Sequence, residues 1–178
     1  MSGLSKGLAK VEVALRWDPS PLGEAPHDLD LVAATYTRDT PSEAPEYLVH
    51  HDSRSPDGTI SLDRDSRNGQ GFGFDEVMTL ELDRLSESFV RVVVGAVIQQ
   101  AQEHKAFGAI EATAVRIRGE DDRELFSDDF TGVASATAAT VAEFVRDDSG
   151  AWELNAAVHG FDGEPAEFTA AMGATASR

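Results

Sequence analysis

The strongest constraint on the fold is an alternation of apolar and polar residues that recurs in several segments of the chain. Because successive side chains of a strand point to opposite faces, this period predicts strands that bury one face. The alternating segments are 11–17, 78–83, 114–118 and 152–159. Segment 89–98 is nearly continuously apolar and rich in valine, which predicts a strand buried on both faces. Segments 29–36 and 47–50 are further predicted strands.

Turn-forming residues separate these segments and define the fold class. They include Asp39-Thr40-Pro41, Pro56-Asp57-Gly58 and Asp147-Asp148-Ser149-Gly150. Many short strands with such spacing predict an all-β protein, a two-sheet antiparallel β-sandwich with at most short helices. Segment 133–146 fits a helix by its alanines and a strand by its Thr and Val content, and 165–174 predicts a short helix. The length of 178 residues favours a single domain over 1–178.

Charge and composition exclude several classes of function. The formal net charge of −17 argues against nucleic-acid binding and against direct contact with anionic lipid. It fits either a solubility or salt-adaptation bias or a cation-binding protein. The chain has no cysteine, which excludes disulfides and zinc–thiolate sites. Segment 1–10 has no apolar signal core and 89–98 is too short to span a bilayer, so we expect a cytoplasmic protein without membrane insertion.

Acidic residues and glycines are concentrated in segment 55–76. Calcium takes about 6–8 oxygen ligands from carboxylates, amides, carbonyls and water. The glycines of this segment give the backbone access to the sharp bends that such a site needs. Upstream, Asp28 and Asp30 flank one leucine, and on a strand both carboxylates point to the same side, about 7 Å apart.

The segment does not follow the EF-hand pattern, since counting from Asp63 puts Arg67 at the fifth position and Asn68 at the turn glycine. A calcium site here therefore needs ligands from several loops. The candidate ligands are the acids Asp28, Asp30, Asp57, Asp65, Asp75 and Glu76, the Asn68 amide, and the carbonyls of Gly69 and Gln70. The alternative is an acidic hairpin loop whose carboxylates form ordinary surface salt bridges with nearby arginines.

Two other classes of function stay open at this point. One is a metal-assisted hydrolase that uses the acidic loop with His27 or His51, although the sequence offers no nucleophile–base motif. Neighbouring His50 and His51 would face opposite sides of a strand and make a poor chelating pair. The other is a calcium-independent scaffold whose loops bind a partner protein.

Several motifs together resemble the TerD-domain family of tellurium-resistance and stress-response proteins. The matching motifs are Leu4-Ser5-Lys6-Gly7, Trp17-Asp18, Asp28-Leu29-Asp30, Ser55-Pro56-Asp57-Gly58, the stretch Asp65 to Glu76, Phe107-Gly108, and Gly150-Ala151-Trp152-Glu153-Leu154. The chain departs from the family pattern at Arg64-Asp65-Ser66, where members often have Gly-Asp-Asn, and at Phe74-Asp75, where they often have paired aspartates.

The resemblance implies a β-sandwich with calcium-binding loops on one side. It implies a non-enzymatic calcium-binding (Ca²⁺) role in a stress or tellurite response, with protein partners in a membrane-associated complex. The acids Asp28, Asp30, Asp57, Asp65, Asp75 and Glu76 are the metal ligands that it implies.

Overall fold

Two antiparallel five-stranded sheets form the body of the protein. The structure is a computed structural model, and it describes residues 7–41, 43–65, 69, 73–100 and 104–176. The sheets pack face to face around one apolar core, so the predicted β-sandwich is confirmed.

The first sheet has the strand order β4-β5-β1-β7-β8. Its strands are β1 (Val11–Arg16), β4 (Ile60–Arg64), β5 (Glu76–Leu80), β7 (Ala114–Arg118) and β8 (Glu124–Asp128). The central strand β1 buries Val11, Val13 and Leu15 in the core, as its alternating pattern predicts.

The second sheet has the order β10-β9-β6-β2-β3. Its strands are β2 (Leu29–Thr37), β3 (Tyr47–Val49), β6 (Phe89–Ile98), β9 (Ala138–Arg146) and β10 (Trp152–Phe161). Strand β6 is central and buries both faces, which confirms the prediction from its continuous apolar run.

Helix α1 (Pro165–Ala176) covers the outer face of the second sheet. Its Phe168 and Met172 pack against Val32 and Val93 in a second apolar cluster. The sheet makes room for Phe168 at Gly95, where an added Cβ would lie 2.6 Å from the phenyl ring. The predicted short helix is thus confirmed, and it ends two residues later than expected.

Some elements differ from their sequence-based predictions. The ambiguous segment 133–146 forms strand β9 from Ala138 onward, after a 3₁₀ turn at Thr131–Val133. The alternating pattern predicts a strand as far as residue 83, but β5 ends at Leu80. A 3₁₀ turn follows at Leu82–Arg84. Strands β4 and β8 were not predicted, and both lie at the edges of the first sheet.

Candidate metal centre

Three carboxylates from separate parts of the chain converge at one end of the sandwich. One oxygen from each of Asp30, Asp65 and Glu76 lies within 4.8 Å of the other two. Asp30 belongs to β2 of the second sheet, Glu76 begins β5 of the first sheet, and Asp65 directly follows β4. The cluster therefore depends on both sheets and on the loop after β4.

The short length of β3 explains how Glu76 reaches the second sheet. Strand β3 pairs with β2 only as far as Ala33. Beyond that point the amide of Leu31 donates a hydrogen bond of 2.6 Å to Glu76 Oε2. One carboxylate oxygen thus replaces a missing strand partner, while the same carboxyl group is part of the acid cluster.

Glu76 is fully buried, with 0% of its surface exposed. No N–H or O–H group of the described residues donates to its Oε1, and the carboxylates of Asp65 and Asp30 lie close enough to accept a hydrogen bond from Glu76 when it is protonated. Burial, and then the neighbouring Asp65 and Asp30, raise the pKa of Glu76 to about 11. Since a buried ionised carboxylate without compensation is strongly disfavoured, Glu76 holds a proton at neutral pH unless a cation is present.

Asp30 is held in place from two sides and is only 3% exposed. Its Oδ1 lies 3.2 Å from His51 Nδ1, and its Oδ2 accepts a hydrogen bond of 2.5 Å from Gln99 Nε2. Gln99 reaches it because β2 pairs with β6 in the register Leu29 to Ile98, which places Gln99 just beyond the last pair. These two side chains fix the carboxylate for any ligand that it binds.

An acidic cavity of about 280 Å³ opens beside the cluster. Its lining residues are Asp28, Asp30, His51, Asp52, Asp65 and Gln99. No lysine or arginine lines this cavity within the described ranges. The walls present mainly carboxylate oxygens, the ligands that hard divalent cations prefer.

Three of the predicted ligand acids lie outside the three-residue cluster. Asp28 lines the acidic cavity beside it, whereas Asp57 and Asp75 bond to other parts of the chain. Oδ1 of Asp57 accepts hydrogen bonds from the Ser55 hydroxyl at 2.5 Å and from the amide and hydroxyl of Thr59 at 3.0 and 2.7 Å, so it closes the turn around Gly58. Asp75 Oδ2 accepts a hydrogen bond of 2.9 Å from the amide of Trp17, and burial raises the pKa of this carboxyl.

Gly69 packs against the end of the first strand. Its φ is +73°, and an added Cβ would lie 2.6 Å from Trp17 Nε1. The same indole nitrogen donates a hydrogen bond of 2.8 Å to the carbonyl of His27. A side chain at Gly69 would therefore clash with an indole that is already fixed, in a backbone region that favours glycine. The predicted ligands Asn68 and Gln70 lie outside the described residues.

The histidines differ in their surroundings. His51 contacts Asp30, and it is the histidine that lines the acidic cavity within the described part of the chain. His27 is buried, and burial followed by the charge of Lys105 lowers its pKa. Burial also lowers the pKa of His50, and its Nδ1 accepts a hydrogen bond of 3.2 Å from the amide of Asp52. His27 and His50 are therefore neutral imidazoles at pH 7.

Sequence reasoning did not identify His51 as a partner of Asp30, and it did not name Gln99 or Asp52 as site residues. Gln99 acts through the pairing register of β2 and β6, and no local motif carries that information. Asp52 follows the two histidines in the turn after β3 and lines the cavity, and no local motif marks it as a site residue.

Known proteins match nearly the full chain. The TerD domain model matches residues 1–171. The crystal structure of a homologue of the telluride resistance protein TerD from Streptomyces coelicolor A3(2) superposes with a TM-score of 0.91 at 55% identity, covering 94% of this chain and 98% of that chain. The crystal structure of SAV2460, a protein of unknown function, superposes with a TM-score of 0.92 at 55% identity and the same coverage.

A curated relative is more distant in sequence. The tellurium resistance protein TerD of an Alcaligenes species is 26% identical, over 99% of this chain and 94% of that protein. In the part of the chain that the structure describes, no helix is both long enough and apolar enough to cross a membrane.

Proposed function

This chain belongs to the TerD-domain family, and we propose that it is a non-enzymatic calcium-binding protein of the tellurium-resistance type. In this proposal Asp30, Asp65 and Glu76 supply carboxylate oxygens to one ion. The acidic cavity beside them holds the waters and further oxygens that complete its coordination.

The observation that carries this proposal is the buried carboxyl of Glu76, whose Oε1 accepts no hydrogen bond from an N–H or O–H group of the described residues. A buried polar atom without a partner is expensive, and in folded proteins such atoms usually have a structural or functional reason. Glu76 Oε1 belongs to a fully buried side chain, among two further carboxylates. A divalent cation would supply the missing partner and relieve the repulsion between the three acids at the same time.

The chemistry of the site favours calcium over magnesium. Calcium accepts 6–8 oxygens in flexible geometry, whereas magnesium demands a near-ideal octahedron and usually binds few protein carboxylates. Three clustered carboxylates beside a roomy acidic cavity fit the first requirement better. Soft transition metals prefer sulfur and imidazole ligands, and the chain contains no cysteine.

The proposed biological role of the protein is based on its curated relatives. Curated relatives carry the name of tellurium resistance proteins. We infer that this chain acts in a stress or tellurite response in the cytoplasm, with protein partners in a membrane-associated complex. Calcium binding would order the loops around Asp30 and Asp65 and so present one surface to such a partner.

Calorimetry and thermal melting test the calcium proposal. A ligand that binds only the folded state stabilises it by about 2.7 kcal/mol at a hundredfold excess over Kd. For a domain of this size each kcal/mol shifts Tm by about 2–4 °C, so calcium should raise Tm by about 5–11 °C and magnesium by much less. Asp65→Asn should weaken calcium binding strongly. Asp63→Asn removes the same charge from an exposed side chain bonded to Ser61 and Thr79, and it should leave binding unchanged.

Equal melting in chelator and in millimolar calcium would contradict the proposal and favour a calcium-independent scaffold. Substrate turnover that requires an added metal ion would instead favour the hydrolase. Unchanged calcium affinity in Asp65→Asn, with binding intact in the wild type, would remove Asp65 from the ligand set.

A further inference from the structure

A second, apolar cavity lies beside the acidic one. It measures about 240 Å³ and lies between the outer face of the second sheet and the first turns of α1. Its apolar walls come from Val32 and Val97 of the sheet and from Pro165 and Ala166 of the helix. The two cavities share Asp30, His51 and Gln99 as lining residues, so they are neighbours along one wall.

The two neighbouring cavities present different chemical environments side by side. One end offers valine, proline and alanine, and the other offers carboxylates. Neither cavity has a lysine or arginine among its described lining residues. A molecule that matches both ends carries a positive charge at one end and an apolar chain at the other.

The acidic end presents four aspartates to its cavity. They are Asp28, Asp30, Asp52 and Asp65, and Asp30 among them is only 3% exposed. An ammonium group has three N–H donors and no acceptor, so it can serve several carboxylates at once. The acidic cavity of about 280 Å³ is also far larger than the roughly 30 Å³ that one water molecule occupies in the liquid.

We propose that the two cavities together bind a primary alkylammonium group, with its nitrogen at the carboxylates and its alkyl chain between Val32, Val97 and Ala166. This site uses Asp30 in common with the proposed calcium centre but does not require calcium to bind. Free alkylamines and the lysine side chain of a partner protein both carry this group.

A series of amines in chelator tests the site without any metal. We would titrate ethylamine, propylamine, butylamine and n-pentylamine and follow the backbone amides around α1 by NMR. Burying one methylene is worth about 0.8 kcal/mol, so affinity should rise roughly fourfold for each added carbon while the chain stays inside the apolar cavity. Pentanoate, with the same chain and the opposite charge, should not bind.

A matched pair of variants on α1 tests the placement of the chain. Ala166 is exposed on the helix and lines the apolar cavity, so Ala166→Phe should fill it and abolish the dependence on chain length. Ala170 is exposed on the same helix outside the cavity lining, and Ala170→Phe should keep the wild-type series. Both variants should retain wild-type Tm, because neither position is in the core.

Two results would overturn the proposal. One is equal binding of pentanoate and n-pentylamine, and the other is an unchanged chain-length series in Ala166→Phe. Comparing n-pentylamine with lysine blocked at its backbone amine and carboxyl distinguishes the two sources of the alkylammonium group. Tighter binding of n-pentylamine assigns a free amine, whereas tighter binding of blocked lysine assigns a partner's side chain, and either result supports the alkylammonium site. Since the series is run in chelator, its failure is independent of the calcium titration.

Discussion

The proton on Glu76 allows the calcium proposal to be tested quantitatively. Burial, with Asp65 and Asp30 nearby, raises the pKa of this carboxyl from 4.5 to about 11. At pH 7 the metal-free protein therefore carries a proton on Glu76. At about 1.4 kcal/mol per pKa unit, removing that proton costs roughly 5 kcal/mol. A calcium ion that binds the ionised carboxylate must displace this proton.

The expected result is proton-linked binding. Below the raised pKa, each unit of decreasing pH should weaken calcium affinity about tenfold, and about one proton should be released per ion at pH 7. Calorimetry in two buffers with different ionisation enthalpies measures the released proton directly. In chelator, the folded state keeps a proton that the unfolded chain loses, so Glu76's contribution to stability is present at low pH and is lost as pH rises from 4.5 through about 11.

Glu76→Gln isolates the contribution of this one group. Glutamine keeps an oxygen that can accept from the amide of Leu31, but it has no titrating proton and no ligand charge. We expect at least about a tenfold loss of calcium affinity and no proton release from this position. Asp63→Asn, which removes one charge outside the cluster, should keep the wild-type proton release. Calcium binding by the wild type that is independent of pH and releases no proton would refute the reasoning.

Three further predictions concern stability, measured by urea unfolding. Asp57→Ala should cost about 1 kcal/mol, because its turn loses an acceptor, with calcium affinity unchanged; a large loss of affinity would instead make Asp57 a ligand. Gly69→Ala should cost about 1–3 kcal/mol, because its Cβ would lie 2.6 Å from an indole nitrogen at a φ of +73°. Gly95→Ala should cost a similar amount by displacing Phe168. Gly132→Ala, whose Cβ would meet nothing within 4 Å, is the neutral control, and equal stability of all three glycine variants would contradict both packing arguments.

Local patterns predicted most strands, including the edge strands β3 and β10 of the second sheet, but not the two edge strands of the first sheet. Strand β6 occupies the predicted segment 89–98 because its apolar run must be buried on both faces. Strands β4 and β8 are edge strands with five residues each and partly exposed side chains, so their alternation is weak. Strand β9 contains good helix formers, but pairing with both β6 and β10 overrides that propensity.

The sequence identified acids for the candidate site but could not show which of them meet. Asp30, Asp65 and Glu76 converge because of the register between strands and the packing of two sheets, and neither is encoded locally. Asp57 carries a local signal, since the hydroxyl residues two positions before and after it are typical of a side chain that closes a turn. Its carboxylate serves that turn in the structure.

The hydrogen bond from the Leu31 amide to Glu76 joins one layer of the sandwich to the other. Any event that draws electron density from that carboxylate, whether protonation or coordination, changes how firmly it holds the amide. We therefore expect the strength of this contact between the layers to change when the acids between them are occupied. The hydrogen-exchange rate of the Leu31 amide should therefore differ between the metal-free and the metal-bound protein.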